Sequence, residues 1–179
     1  MQRETGTIFL PMRRRLPAAA IRDCAPPWRP WTRGAIARAE RTADGRVHLA
    51  VVRPRPGGVL VSLTGVGAAQ AENLAPVAAR IRRALAAGKR LLGTSAFEDA
   101  VASLLDDARA PARARLAVLR LGGRCPAAPG LRTMPEPTCI LRTPRATLDR
   151  ALGSPALARR LQALARAFAA IAPCSPSRS

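Results

Sequence analysis

Three kinds of side chain in this 179-residue chain have the chemistry for a catalytic or metal site: the one histidine, His48; the four cysteines; and the adjacent carboxylates Asp106 and Asp107. A zinc centre needs thiolates and imidazoles at short, regular spacing, so that a few turns of chain can close a tetrahedron. Cys24, Cys125, Cys139 and Cys174 lie far apart with no C-x-x-C among them. They read as partly buried free thiols in a reducing compartment. His48 stands in an alternating apolar stretch, where half-buried packing is its expected role. Asp106 and Asp107 are neighbours, and neighbouring residues point to different faces of a helix, so they do not converge on one metal. Solvation, or pairing with Arg109, Arg113 or Arg115, is the expectation for them. Gly65-Val66-Gly67 lacks the lysine and hydroxyl of a phosphate-gripping P-loop. No catalytic residue, metal or cofactor is therefore expected.

Charge is the stronger signal. Lys+Arg number 30 against 11 Asp+Glu, a net charge of +19 with a pI of about 11.9, and Lys89 is the sole lysine. A positive potential of this size attracts polyanions and releases their condensed counterions. The expected partner is DNA, held mostly through its phosphate backbone. The candidate contacts are Arg109, Arg113 and Arg115, which follow the paired carboxylates, and Arg159, Arg160 and Arg166, which flank an apolar stripe. GC-rich coding also favours Arg over Lys, yet it does not explain the scarcity of Asp and Glu, which a degraded or frame-disrupted gene would. A basic interaction module, nucleoid- or ribosome-associated and without repair activity, would carry the same charge. No apolar run approaches the length of about 18 residues that spans a bilayer. Arg13-Arg14-Arg15 follows the apolar Ile8-Phe9-Leu10, the reverse of a secretory signal. No membrane partner is expected, and the location read from this is cytoplasmic and nucleoid-associated.

The elements that would position these arginines follow from periodicity. Val47, Leu49 and Val51 alternate with His48, Ala50 and Val52, and Val59, Val61 and Leu63 repeat the alternation after a Pro54–Gly58 break. Asp44-Gly45 is a hairpin turn signal, which makes Ala35–Glu40 the partner strand. Thr7–Leu10 adds a fourth. Beyond Gly67 the period becomes helical. Leu74, Val77, Ala78, Ile81 and Leu85 share a face, with Asn73 as expected N-cap, Pro76 in the first turn and Gly88 at the end. Ser95 and Glu98 form a capping box ahead of Phe97, Ala100, Val101, Leu104 and Leu105. A third helix runs over Ala112–Leu121. A long proline-rich connection follows, then two helices led by Thr143-Pro144 and Ser154-Pro155. The last carries Leu157, Leu161, Leu164, Phe168 and Ile171. With 48% hydrophobic residues but only 3% aromatic and no Tyr, the core must be built from Ala, Leu and Val. The expected class is α+β: a small antiparallel sheet domain over 1–70, a helical domain over 71–172 and a disordered tail over 173–179.

Two passages resemble the helix-hairpin-helix base-excision DNA glycosylases of the 3-methyladenine glycosylase II and endonuclease III type. Arg90-Leu91-Leu92-Gly93-Thr94-Ser95-Ala96-Phe97-Glu98-Asp99-Ala100-Val101 is similar to the stretch that opens their helical domain. Met134-Pro135-Glu136-Pro137, the Thr143-Pro144 helix and Ala158-Arg159-Arg160-Leu161-Gln162-Ala163-Leu164-Ala165-Arg166-Ala167 are similar, in that order, to its later loop and helices. Gly34-Ala35-Ile36-Ala37-Arg38 and Asp44-Gly45-Arg46-Val47 resemble the TATA-binding-protein-like domain that precedes it. The resemblance implies DNA-repair-type DNA binding in a family that hydrolyses N-glycosidic bonds of flipped nucleotides. It also implies an incomplete helical domain. The family's LPGIGxxTA-type hairpin and the Asp after it have no counterpart here, and Asp106, Asp107 and Ala108 stand where the family places polar residues near its base pocket. A fragment, or a degenerate homologue without glycosylase activity, is the expectation.

Overall fold

Alternating Val, Ile and Leu drive the first half of the chain into strands. In the computed structural model, which describes residues 5–12, 27–65, 71–86 and 93–171, they are β1 (Thr5–Pro11), β2 (Arg29–Pro30), β3 (Ile36–Arg41), β4 (Val47–Arg55) and β5 (Gly58–Thr64). They form one antiparallel sheet in the order β1-β5-β4-β3-β2. The β3–β4 turn is built as its sequence suggests. Gly45 takes φ 80°, and Thr42 N–H donates to the Arg46 carbonyl at 3.0 Å. The Asp44 carboxylate accepts from the Thr42 hydroxyl and from Arg46 N–H. These bonds, the Thr42 hydroxyl first, hold the Asp44 pKa below its ordinary value. Pro54, expected to break the chain, instead lies within β4 opposite Val59. It is tolerated because β3 pairs with β4 only as far as Val52, so no ladder partner needs the missing N–H.

One face of this sheet is covered by a helix, and the β3–β4 part of the other by a hairpin. On one, α1 (Ala71–Ala86) lays Leu74, Val77, Ala78, Ile81 and Leu85 on Ile36, Val52, Val59, Val61 and Leu63. The helix starts at Ala71, so Asn73 is inside it and is not its cap, and Pro76 lies beyond the first turn. On the other face Ala35, Ala37 and Ala39, all fully buried, leave a flat surface. A hairpin of β6 (Arg124–Cys125) and β7 (Ala128–Arg132) lies on it through Cys125, Ala128 and Leu131. This hairpin lies within the long proline-rich connection after α3.

Beneath α1 the sheet carries buried charge. Arg38 and Glu40 are 1% and 3% exposed and meet at 2.6 Å. Arg80 of α1 donates to Glu40 Oε2 at 3.2 Å and to the Arg41 carbonyl at 2.9 Å. The Arg38 guanidinium also lies 5.1 Å from the centre of the Trp28 ring. His48 is on the same face, 7% exposed, with Nδ1 3.0 Å from the Thr64 carbonyl oxygen. It is a packed core residue, more buried than expected.

The second compact unit is helical: α2 (Ala96–Asp107), α3 (Ala112–Arg120), α4 (Pro137–Arg142), α5 (Arg145–Leu152) and α6 (Pro155–Ile171). Its core unites Phe97, Val101, Leu104, Val118, Ile140, Leu148 and Leu161. The Phe97 and Phe168 rings meet edge to face at 5.2 Å, the geometry that opposes a ring's positive edge to a negative face. Ser154 Oγ accepts from Leu157 N–H at 3.2 Å, capping α6 as its sequence suggests. Thr143 does not cap α5. Pro144 holds that position, while Thr143 Oγ1 donates back to the Cys139 carbonyl at the end of α4. Ile171, read as part of the apolar stripe, is 77% exposed because α6 runs past its core.

The chain divides into Met1–Ser95 with Gly123–Thr133, and Ala96–Gly122 with Met134–Ser179. The sheet unit thus takes in α1 and the inserted β6–β7 hairpin, whereas a boundary after residue 70 was expected from the change of period. The readings for Gly67, Gly88, Cys24, Cys174, Arg13–Arg15, Arg90–Leu92 and the 173–179 tail lie outside the described residues.

Candidate nucleic-acid interface

The short turn between α2 and α3 is where the expected arginines begin, and its backbone bonds explain their different fates. Ala108 N–H donates to the Leu104 carbonyl, Arg109 N–H to Asp106 and Ala110 N–H to Leu105, at 2.8–3.1 Å. To close the turn, Arg109 adopts φ 48°, a conformation that L side chains rarely take, and its side chain stands exposed at the tip. Arg115, one turn into α3, reaches back across the same loop. Its Nη2 lies 2.7 Å from the Asp106 carboxylate and 3.3 Å from the Leu105 carbonyl, and its Nε bonds the Ala110 carbonyl at 3.3 Å. Three acceptors around one guanidinium make Arg115 a brace for the turn. Arg109 is what the braced turn presents.

Arg113 is exposed on the outer side of α3, and its Nη2 lies close to the α5–α6 turn, 3.6 Å from where a Cβ on Gly153 would stand. Gly153 has φ 66° and is the left-handed cap that ends α5. On α6, burial of Leu157, Ala158, Leu161 and Ala165 leaves Arg159, Arg160 and Arg166 on exposed positions. The structure therefore exposes Arg109, Arg113, Arg159, Arg160 and Arg166 in one helical unit, and engages Arg115 internally. Arg142 and Arg150 are exposed in the same unit. Neither was among the expected contacts. Their signal was available: each falls off the apolar face of its helix.

Carboxylates of the unit are partly neutralised by its own arginines. Asp106 pairs with Arg115, and Asp149 pairs with Arg145 at 2.6 Å, i to i+4 on α5. Arg145 also donates to the Pro155 carbonyl, tying α5 to the start of α6. An unpaired Asp beside a phosphate would repel it, so each internal pair removes a local obstacle to a polyanion. A small apolar cleft between α3 and α5, lined by Ala117, Leu121, Thr143, Thr147 and Ala151 among others, encloses about 210 Å³ of space that includes open solvent. Among the described residues, no cluster of three or more His, Cys, Asp or Glu is gathered as a metal would need, and no helix is long and apolar enough to cross a membrane.

Among the described residues, an α+β arrangement with a five-stranded antiparallel sheet and six α-helices is thus established. Neither a protein-family model nor a curated protein sequence matches it. Among solved structures, it is similar to a 3-methyladenine DNA glycosylase from Archaeoglobus fulgidus, with a TM-score of 0.62 and 13% sequence identity. That likeness covers 89% of this chain and 66% of the other, so this chain spans about two thirds of the glycosylase's length. The chain has a glycosylase-like fold.

Proposed function

We propose that this protein binds DNA through arginine-to-phosphate contacts from its helical unit, as a DNA-repair-type protein related to the base-excision glycosylases. The observation that carries the reading is the fold likeness to a 3-methyladenine DNA glycosylase over 89% of the chain. Charge supports it independently. The net charge is +19, and Arg109, Arg113, Arg159, Arg160 and Arg166 are exposed on one helical unit. On the same reading the sheet unit is the counterpart of the TATA-binding-protein-like domain of these enzymes, and the protein works at DNA in the cytoplasm.

Base release is not part of the proposal. Excision needs a carboxylate held against a flipped nucleotide. Asp106 and Asp149 are each held by an arginine of their own unit, Asp99 lies in the first turn of α2, where it stabilises that helix end, and Asp107 stands exposed to water at the far end of α2. The test incubates excess protein with alkylated, uracil-containing and mismatched duplexes. Binding that prefers these over undamaged duplex, without new abasic sites, is the expected result. Binding with no such preference would favour a general basic module instead, nucleoid- or ribosome-associated, and reproducible release of a base would overturn the exclusion of catalysis.

A further inference from the structure

The sheet unit has a second basic surface, on the face opposite α1. Over β3 and β4 that face is covered by the β6–β7 hairpin through Ala37, Ala39, Leu49 and Val51. Over β1 and β5 it carries Phe9, which is 46% exposed. The register puts Phe9 opposite Leu60 and Leu60 opposite Arg53, so ring, leucine and guanidinium stand in one row across three strands. In the next row Pro11 faces Gly58 and Gly58 faces Arg55. Paired residues of an antiparallel ladder share a face, and the intervening row of Leu10, Val59 and Ile8, Val61, Val52 points into the core under α1. Thr7 is exposed beside Phe9 on this side, whereas Ser62, opposite Thr7, is buried.

This arrangement combines a fixed ring with positive charge. A Cβ on Gly58 would fall 2.8 Å from Phe9 Cζ, so the ring leans over the bare backbone of that glycine. Covering a strand glycine with an aromatic ring steadies both. The ring remains nearly half exposed while so held. Two strand spacings, about 10 Å, separate Phe9 from Arg53. Arg53 and Arg55 form no ion pair among the described residues, and the rows described contain no carboxylate. A flat aromatic ring with arginines beside it on an open sheet is the chemistry that stacks an unpaired base and holds its phosphate.

We infer that the open β1–β5 face, with Phe9 as stacking platform and Arg53 and Arg55 as phosphate contacts, binds single-stranded DNA. Charge complementarity selects this occupant over an apolar protein surface. The residues of this surface belong to the sheet unit and include none of the helical arginines, so its test is separable from that of duplex binding. Fluorescence anisotropy would follow a labelled oligo(dT) and a blunt duplex of equal length, each titrated with the parent protein and with variants. Phe9→Leu keeps the bulk but removes the ring, and should weaken oligo(dT) binding about 5- to 150-fold while leaving duplex binding unchanged. Phe9→Tyr should restore it. Arg53→Gln with Arg55→Gln should lower the salt slope for oligo(dT) by about 0.7 per cation, and gives a second arm should Phe9→Leu melt early. Oligo(dT) binding through Phe9 without duplex binding would uphold this inference and overturn the duplex reading. Parent-like oligo(dT) affinity in both variants would overturn it, as would loss of self-association in Phe9→Leu with oligo(dT) binding intact, which would make the face a contact between copies.

Discussion

Glu40 is the residue on which the sheet unit's buried charge depends. It is 3% exposed, with Arg38 at 2.6 Å and Arg80 at 3.2 Å. Its removal leaves the Arg38 cation, 1% exposed, without that carboxylate. Breaking a buried pair by deleting one partner costs about 3–5 kcal/mol. Glu40→Ala should therefore lower the urea midpoint severely. Asp149→Ala breaks a pair of similar length, 2.6 Å, but about a third exposed on both sides, so water screens it. Its expected cost is below about 1 kcal/mol. Equal effects of the two substitutions would refute the argument from burial. At Asp44 the prediction concerns pH. Its pKa is lowered in the fold, so the β3–β4 turn is supported above the ordinary value of 3.8 and loses that support as pH falls through the lower folded value. Asp44→Asn should flatten this acid-side decline in the thermal melting curve.

At the scale of elements, the helical unit rests on faces whose burial sorts large effects from small ones. Leu161 of α6 is fully buried, and Leu161→Ala should cost about 2–5 kcal/mol. Leu104, 8% exposed on α2, belongs to the same core, and its truncation falls in the same range. Ile171 is 77% exposed, so Ile171→Ala should stay within about 0.5 kcal/mol. Chemical denaturation of the three variants checks the order. The strands, the Asp44-Gly45 turn and the α2 and α6 starts were legible because each is specified by a few adjacent residues. Asn73 and Thr143 misled for the opposite reason. Both are capping types, but a helix extends as far as its packing supports it, so Asn73 lies inside α1 and Pro144 holds the cap of α5.

For the whole molecule, affinity for duplex DNA should fall linearly with salt on logarithmic axes, because each arginine at a phosphate displaces condensed cations. Arg159→Gln with Arg160→Gln should reduce that slope by about 2 if both touch phosphate. Arg115→Gln should act differently. Its guanidinium braces the α2–α3 turn through three acceptors, so the variant should lose stability as well as binding. A melting temperature unchanged by Arg115→Gln would assign Arg115 to the surface instead.

The sequence alone determined the α+β class and the basic character, since composition and periodicity are local properties of the chain, and its short motifs pointed to a glycosylase-like fold. It also singled out most of the exposed arginines of the helical unit, because residues off an apolar stripe face water. Tertiary structure decided what depends on distant partners. Ala35, Ala37 and Ala39 read as one side of a simple strand, and only folding showed that their small size admits the Cys125–Leu131 hairpin. The burial of Arg38 and Glu40 on the face under α1 is likewise a product of folding. Arg115 is one exposed-type residue among many in sequence, and its three acceptors come from the turn that α2 and α3 make together. The row of Phe9, Leu60 and Arg53 exists only because β1 and β4 flank β5, a register set by burial of the opposite face, where a shift of one residue would turn every side chain over.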